Sequence, residues 1–172
     1  MKTSNLLITG MPGVGKTTLI KKLVAELATL HPVGFYTREI RQGGVRRGFE
    51  LVTLDGQRQV LAAVDIRSRY RVGKYRVDVA AFEEVIENIP YRDPSSHLAI
   101  IDEIGKMECM SQKFHFLVNR ILESDKLLIA TVAARGSGLI ADVRQRRDIV
   151  LFEITRSNRD VLLPEILAII RQ

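Results

Sequence analysis

The distribution of apolar and polar residues divides the chain into short strand-like runs and longer segments with helical spacing. Asn5–Thr9 is a short apolar run typical of a buried strand. From Leu19 to Leu27 the apolar residues recur three or four positions apart, which predicts a helix with one buried face. We expect this helix to end near Leu30, because His31 precedes a proline and is biased away from helical geometry.

The next segment has the pattern of an antiparallel meander. Three runs predict strands at Val33–Ile40, Phe49–Leu54 and Gln59–Val64. Turns are expected at Gln42–Gly44 and at Asp55-Gly56, because glycine pairs and Asp-Gly favour hairpin geometry. The basic stretch that follows, up to residue 77, has no pattern that assigns it to a helix or a strand.

The rest of the chain alternates between helical spacing and buried apolar runs. The pattern predicts helices at 79–89, 111–124, 139–146 and 164–170, and strands at 98–101, 126–132 and 149–154. Ser111 is expected to cap the second of these helices. Strands that alternate with helices predict an α/β fold of three layers, with a mostly parallel central sheet and the meander inserted into it. We expect one domain over residues 1–172.

A glycine-rich loop directly follows the first predicted strand. Residues 10–17 read Gly-Met-Pro-Gly-Val-Gly-Lys-Thr, the pattern of a phosphate-binding loop, and we call them the phosphate loop. Glycines let backbone N–H groups surround phosphates, and the helix that begins near Gly15 adds unpaired N–H groups and a positive dipole end. Lys16 can reach the β- and γ-phosphates of a nucleotide, and the Thr17 hydroxyl can bind a magnesium ion. The alternative interpretation is a glycine turn before an ordinary helix.

Two acidic residues end a second apolar run. Asp102 and Glu103 follow Leu98–Ile101, as in a buried parallel strand that ends with a carboxylate at the sheet edge. Asp102 is expected to hold magnesium, directly or through water, and Glu103 to orient or deprotonate a water that attacks the γ-phosphate. Thr131, which ends another predicted strand, should lie at the same edge. The alternative is an acidic helix cap after a core strand.

Composition narrows the class of protein. The 172 residues are 46% apolar with a net charge of +6, which suits one buried core and a polyanionic ligand. The cationic clusters at 67–76 and 144–147 are expected to be solvated faces, so nucleic-acid binding is compatible with the charge but not indicated by a motif. Cys109 is the only cysteine, so no internal disulfide can form. With no leader sequence and no apolar stretch of ~20 residues, we expect a cytoplasmic monomer without membrane contact.

The chain resembles the cancer-related nucleoside-triphosphatase family, whose members have a P-loop NTPase fold. The resemblance covers nearly the whole length and is carried by residues 10–17, 34–39, 47–49, 72–78, 101–108, 130–131 and 158–160, whereas residues 133–147 match less clearly. It implies Mg²⁺-dependent hydrolysis of ATP, GTP, CTP and UTP to the diphosphate and phosphate. It also implies catalytic roles for Lys16 and Glu103 and a metal site at Thr17 and Asp102. The nucleotide-binding residues would be Gly10, Met11, Pro12, Gly13, Val14, Gly15, Lys16, Thr17, Thr18, Ile100, Ile101, Asp102, Glu103, Ile104, Gly105, Lys106 and Met107.

The residues themselves leave three classes of function open. The first is a nucleoside-triphosphatase that acts on free nucleotide. The second is a kinase that transfers the γ-phosphate to a nucleoside, a nucleotide or a nucleic-acid end. The third is a nucleotide-dependent RNA-binding switch, for which the basic charge is a mild hint. The chain has no Asn-Lys-x-Asp guanine signature, so comparable activity on all four bases is expected.

Arginine side chains could stabilise a phosphoryl-transfer transition state. The candidates are Arg38, Arg69, Arg71, Arg135 and Arg159, and the sequence does not choose among them. Asn158-Arg159 could also contact a base or a ribose. Alternatively, this pair forms a plain turn in which Ser157 or Asp160 caps the last helix.

Overall fold

The structure is a computed structural model that describes residues 5–172. Within that range the strands are β1 (Asn5–Thr9), β2 (Val33–Gln42), β3 (Val45–Thr53), β4 (Arg58–Ala63), β5 (Arg71–Val72), β6 (Tyr75–Val77), β7 (Leu98–Ile104), β8 (Leu127–Val132) and β9 (Ile149–Glu153). The α-helices are α1 (Lys16–Glu26), α2 (Val79–Asn88), α3 (Gln112–Glu123), α4 (Leu139–Gln145) and α5 (Leu162–Ile170). Single 3₁₀ turns cover Ala28–Leu30 and Glu108–Met110.

The strands of the described range form one sheet in the order β5-β6-β4-β3-β2-β7-β8-β1-β9. The strands from β2 to β9 in this order pair in parallel, so their carboxyl ends meet at one edge of the sheet. β1 lies between β8 and β9, and the phosphate loop leaves it at this edge. The predicted α/β fold, with a parallel core and an inserted meander, is confirmed.

The antiparallel meander is longer than the sequence predicted. β2, β3 and β4 correspond to the three predicted strands, and β4 then pairs with β6, which pairs with β5. The β5–β6 hairpin lies in the basic stretch that had been assigned to no element. Strands of two and three residues are too short to show a periodic pattern. The hairpin forms the edge of the sheet opposite to β9. In the strand order, β5 is seven positions away from β1.

Helices cover both faces of the sheet and create two apolar cores. α1 and α5 pack on one face, and α2, α3 and α4 pack on the other. Successive residues of β1 alternate between them, because Leu6 belongs to the first core and Leu7 to the second. In the second core Phe35, Phe82 and Phe114 form an aromatic cluster, with ring centroids between 5.4 Å and 6.5 Å apart. The three predicted layers are therefore present.

The prediction was wrong for the end of β7 and is confirmed for the cap at the start of α3. β7 continues to Ile104, so Asp102 and Glu103 lie inside the strand rather than after it. Ser111 caps α3 as predicted, because its hydroxyl accepts a hydrogen bond from the Phe114 N–H group at 3.0 Å. The described part of the chain contains no helix that is both long and apolar enough to cross a membrane.

Two other helix ends differ from the prediction. α1 ends at Glu26, and a 3₁₀ turn rather than α-helix continues to Leu30. α5 begins at Leu162 without a side-chain cap, so the predicted capping by Ser157 or Asp160 is wrong. The Ser157 hydroxyl instead shares a hydrogen bond with a threonine inside the preceding turn.

Candidate functional site

The phosphate loop connects β1 to α1 and presents polar hydrogen atoms at the carboxyl edge of the sheet. Gly13 and Gly15 have φ angles of 75° and 115°, which residues with side chains rarely adopt. No side chain caps α1 at Gly15 and its first turn holds no acidic residue, so its first N–H groups are open to an anion. The Lys16 ammonium group donates to the carbonyl oxygens of Gly10 at 2.7 Å and Met11 at 3.1 Å. The loop therefore offers N–H donors and a positive charge to a phosphate.

Asp102 is held by hydroxyl groups from two different elements. Thr17 on α1 donates to Oδ2 of Asp102 at 2.6 Å, and Thr131 on β8 donates to Oδ1 at 2.5 Å. Burial raises the pKa of Asp102, and these hydrogen bonds, with one from the Thr37 backbone, oppose the rise. The structure thus brings Thr17, Asp102 and Thr131 together, as their positions after or at the end of predicted elements suggested.

This group of oxygen atoms suits a magnesium ion that also has phosphate ligands. Magnesium prefers oxygen ligands and commonly takes one or two carboxylates together with substrate phosphates. Residues 5–172 contain no cluster of three or more His, Cys, Asp or Glu side chains that could hold a metal by itself. A magnesium ion here would therefore depend on Thr17, on Asp102 and on the nucleotide. The two side chains fit that role, because both offer oxygen atoms and they lie 2.6 Å apart.

Two further carboxyl groups flank Gly105. A side-chain carbon placed on Gly105 would lie 2.8 Å from Oε1 of Glu103 and 2.9 Å from Oε2 of Glu108. Burial raises the pKa of Glu103, and the charge of Asp102 raises it further. Burial also raises the pKa of Glu108 to about 8 and that of Cys109 to about 12, with nearby carboxylates adding to both shifts. The sequence analysis identified Glu103 but gave Glu108 no role.

Several residues of the predicted nucleotide-binding segments are core residues. Ile100, Ile101 and Ile104 are completely buried in the two apolar cores, and Val14 is buried beside α1. Their side chains are not accessible to a nucleotide in this structure, so a contact at these positions would have to come from backbone groups, and their nucleotide-binding role stays a prediction. The predicted nucleotide-binding residues that are exposed are Met11, Pro12, Gly13, Thr18 and Lys106. Met107 is partly buried.

The candidate arginines do not converge. Arg38 is exposed and forms an ion pair with a glutamate of β3. Arg69 and Arg71 lie at the β5 edge of the sheet, far from β1. Arg135 and Arg159 are exposed on the loops that follow β8 and β9. Within residues 5–172, none of the five makes a side-chain hydrogen bond or ion pair with the phosphate loop.

Asn158 stabilises the loop in which it lies. Its Oδ1 accepts a hydrogen bond from the Thr155 N–H group at 2.7 Å, and its Nδ2 donates to the Glu153 carbonyl oxygen at 2.8 Å. This loop packs on the phosphate loop, because a side-chain carbon on Gly10 would lie 2.6 Å from the carbonyl oxygen of Ile154. Both ends of the Asn158 amide are engaged, which favours the interpretation as a turn over a base contact.

Arg144 joins the site, although the sequence analysis placed it on a solvated face. Its Nη1 donates to the Thr9 hydroxyl and to the Ala133 carbonyl oxygen, each at 3.3 Å. The spacing of α4 contains a signal that would have identified it. Arg144 follows the buried residue Ile140 by four positions and therefore shares the buried face of the helix.

A large cavity lies elsewhere in the described residues. Its volume is about 1460 Å³, and apolar side chains of α2 and α3 line it together with the loop before β7. It includes His97 and Lys126, which precede β7 and β8, so it opens at the amino edge of the sheet. None of the residues of the candidate site at the carboxyl edge lines this cavity.

Comparisons with known proteins point to one family. The sequence pattern of a family described as NTPase matches residues 5–167. The chain is 45% identical to nucleoside-triphosphatase THEP1 of Thermotoga maritima over 167 residues, which cover 96% of this chain and 95% of that protein. It is 39% identical to the human cancer-related nucleoside-triphosphatase, and the match covers 97% of this chain and 96% of the human protein. Its fold is similar to the crystal structure of THEP1 from the hyperthermophile Aquifex aeolicus, with a TM-score of 0.84 and 37% sequence identity. The superposition covers 98% of this chain and 99% of that one.

Proposed function

Because this chain belongs to the NTPase family, as its resemblance indicated, we propose that it hydrolyses nucleoside triphosphates to the diphosphate and phosphate, with Mg²⁺ and little base preference. One observation carries the proposal. The phosphate loop, the Thr17–Asp102 hydrogen bond and Glu103 meet at one edge of the parallel sheet. The bacterial and human relatives are named nucleoside-triphosphatases, which supports the same activity here.

In this proposal each side chain has a separate task. Lys16 gives up its hydrogen bonds to the carbonyl oxygens of Gly10 and Met11 and donates instead to charged oxygens of the β- and γ-phosphates. Glu103 accepts a proton from the water whose oxygen attacks the γ-phosphorus, while the bond from that phosphorus to the bridging oxygen breaks. Thr17 and Asp102 would hold magnesium, which when bound supplies positive charge to the β- and γ-oxygens. The raised pKa of Glu103 supports its task, because a more basic carboxylate binds a proton more readily.

The expected tolerance of different bases has a structural argument. Phosphates and magnesium are common to all nucleoside triphosphates, so contacts made by the phosphate loop do not distinguish the bases. The Asn158 amide already makes one hydrogen bond at each end within its own loop, so it is oriented by that loop. We expect specificity constants for ATP, GTP, CTP and UTP within about a hundredfold of one another, or under ~3 kcal/mol in transition-state binding.

Phosphate release from each triphosphate, with and without a panel of phosphate acceptors, tests the proposal. The Lys16→Ala variant should bind nucleotide more weakly and lose turnover. Lys22→Ala, an exposed lysine two turns along the same helix, should behave as wild type. Wild-type hydrolysis by a folded Lys16→Ala variant would overturn the assignment of the phosphate loop. A phosphorylated acceptor in place of free phosphate would show a kinase instead.

Other properties expected from the sequence stay predictions. These are the single domain, the monomeric state, the cytoplasmic location, the lack of membrane contact, and nucleic-acid binding that is compatible with the charge but not indicated. Size-exclusion chromatography with light scattering would measure the oligomeric state in solution. A nucleic-acid binding assay at several salt concentrations would measure the last, because phosphate contacts weaken steeply with salt.

A further inference from the structure

The guanidinium group of Arg144 lies across the ends of two neighbouring strands. Its Nη1 contacts the hydroxyl of Thr9, the last residue of β1, and the carbonyl oxygen of Ala133, the residue after β8. β1 and β8 are paired in the sheet, and Gly10 of the phosphate loop follows Thr9 directly. The side chain therefore reaches from α4 to the start of the phosphate loop.

The positive charge of Arg144 has no carboxylate partner in the described part of the chain. Arg38, Arg46 and Arg146 each form an ion pair with an acidic residue, and Arg144 does not. Arg144 is nevertheless partly buried and has lost part of its hydration. A partly desolvated charge without a counter-ion is unfavourable, and an anion that binds to Arg144 would relieve that cost.

The hydrogen bonds of Arg144 also leave it free to bind a ligand. Both bonds of Nη1 are long, at 3.3 Å, and they join it to neutral oxygen atoms. Its Nε and Nη2 groups donate to no residue among 5–172. Donors on Nε and Nη2 point in nearly parallel directions, which is the geometry that binds two oxygens of one phosphate.

Two cations thus contact neighbouring residues where β1 passes into the phosphate loop. Lys16 donates to the carbonyl oxygen of Gly10, and Arg144 donates to the side chain of Thr9, the residue before it. The candidates Arg135 and Arg159 are exposed and have no comparable contact with this part of the chain. The contact with Thr9 and the partial burial therefore distinguish Arg144 from Arg135 and Arg159.

We propose that Arg144 is a catalytic arginine supplied by the same chain, an inference that rests on the proposed hydrolysis. Its Nε and Nη2 groups donate to oxygens of the γ-phosphoryl group while the water oxygen bonds to phosphorus and the bond to the bridging oxygen breaks. The guanidinium group stabilises the negative charge that is redistributed over these oxygens and the leaving diphosphate. No arginine from a second protein is required for this step.

The test compares Arg144→Gln and Arg144→Lys with the control Arg147→Ala. Glutamine is shorter and loses the charge while keeping an N–H donor group, and lysine keeps the charge but loses the planar fork. Arg147 is an exposed arginine without a carboxylate partner in the described chain, three positions further on. For each variant, phosphate release gives kcat and KM, and titration gives the affinity for ADP with and without aluminium fluoride, which mimics the transferred phosphoryl group.

We expect both Arg144 variants to lose at least about a hundredfold in kcat, because catalytic arginines contribute up to ~10³–10⁵ in rate. ADP should still bind within about threefold of wild type, and the added affinity from aluminium fluoride should disappear. Arg147→Ala should match wild type in both assays. Normal kcat in Arg144→Gln, or an equal loss of affinity for ADP and for its aluminium fluoride complex, would show that Arg144 only anchors α4. Absence of hydrolysis by the wild-type protein would instead refute the proposed function itself.

Discussion

Gly105 sets the distance between two carboxyl groups at the candidate site. A side-chain carbon at this position would lie 2.8 Å and 2.9 Å from oxygens of Glu103 and Glu108, closer than such atoms approach without movement. Glu108 is buried and Glu103 is partly buried, so an added side chain would have to displace both carboxyl groups from these positions. The absence of a side chain at Gly105 therefore helps to fix where the Glu103 carboxyl group lies.

Glu103→Gln keeps the size of the side chain but removes its charge and its basicity. If Glu103 orients or deprotonates the attacking water, kcat should fall by about 10²–10⁴ while the affinity for triphosphate stays near wild type. Asp102→Asn should differ, because it affects the residue proposed to hold magnesium and should raise the metal concentration needed for activity. Measurements of kcat, nucleotide Kd and magnesium dependence for both variants separate the two roles. Normal turnover by Glu103→Gln would mean that the water is activated elsewhere.

Gly105→Ala tests the same site through geometry alone. The added methyl group should displace the Glu103 carboxyl group and lower kcat by about tenfold to a hundredfold, because small misplacements of catalytic groups are costly in rate. Nucleotide affinity should change little, since the phosphate loop is not touched. Steady-state kinetics and nucleotide titration give both quantities. An unchanged kcat would indicate that the position of Glu103 does not limit the reaction.

The junction between the meander and the parallel core depends on one close contact between strands. β2 belongs to both parts, because it pairs with β3 on one side and with β7 on the other. At Gly34 a side-chain carbon would lie 1.9 Å from the backbone carbonyl oxygen of Ile100, and the φ angle of 140° is unfavourable for other residues. Only glycine allows β2 to approach β7 so closely, two residues before Asp102.

Gly34→Ala should therefore destabilise the fold strongly, by about 4 kcal/mol or more, which is the range of the most severe single substitutions. Gly73→Ala is a matched control, because it also has a positive φ angle but meets no atom within 4 Å. Its cost should be only about 1–2 kcal/mol from backbone strain. Urea unfolding of both variants measures the difference. Equal stability of the two would show that β2 can move away from β7 without loss.

Features that depend on residues close together in sequence were predicted, whereas features that depend on distant residues were not. The amphipathic helix α3 and its cap at Ser111 follow from local spacing and were predicted. β7 was predicted too short, because the polar residue Asp102 resembled the end of a strand. It stays in the strand because hydroxyl groups from α1 and β8 satisfy its carboxylate, and these partners are distant in sequence. The local spacing of α4 places Arg144 on a buried face, but its partner Thr9 lies 135 residues away and could not be predicted.

At the scale of the whole molecule, charge and burial are distributed unevenly. Residues 33–78 contain ten Lys or Arg against five Asp or Glu, a net +5, so most of the chain's charge of +6 lies in the meander and the segment after it. The carboxylates Asp102, Glu103 and Glu108 instead lie in or just after β7, at the carboxyl edge of the parallel core. Their mutual repulsion adds to burial in raising the pKa of Glu108 to about 8.

Glu108 should make the stability of the whole protein depend on pH. In the folded state it keeps its proton up to about pH 8, whereas the unperturbed pKa is 4.5. Between these values the folded state binds more protons than the unfolded state, so the free energy of unfolding falls as pH rises. Glu108→Gln cannot titrate, and its Tm should fall less between pH 6 and pH 9 than that of wild type, by at least about 4 °C.

The control for this comparison is Glu84→Gln, which removes an exposed glutamate from α2. Its melting temperatures should follow those of wild type at every pH. Thermal unfolding by circular dichroism at several pH values gives the three curves. If the curve of Glu108→Gln runs parallel to that of wild type, the titration of Glu108 does not contribute to stability in this range.

Cys109 allows the motion of this region to be followed by chemical labelling. It is the only thiol in the chain, it lies beside Glu108 in the turn Glu108–Met110, and its pKa of about 12 keeps the reactive thiolate scarce at neutral pH. Alkylation of the native protein should therefore be slow, and local opening of the turn should accelerate it. A nucleotide that orders the segment should slow the labelling further. The rate of labelling at Cys109 thus reports the motion of the segment near Glu103.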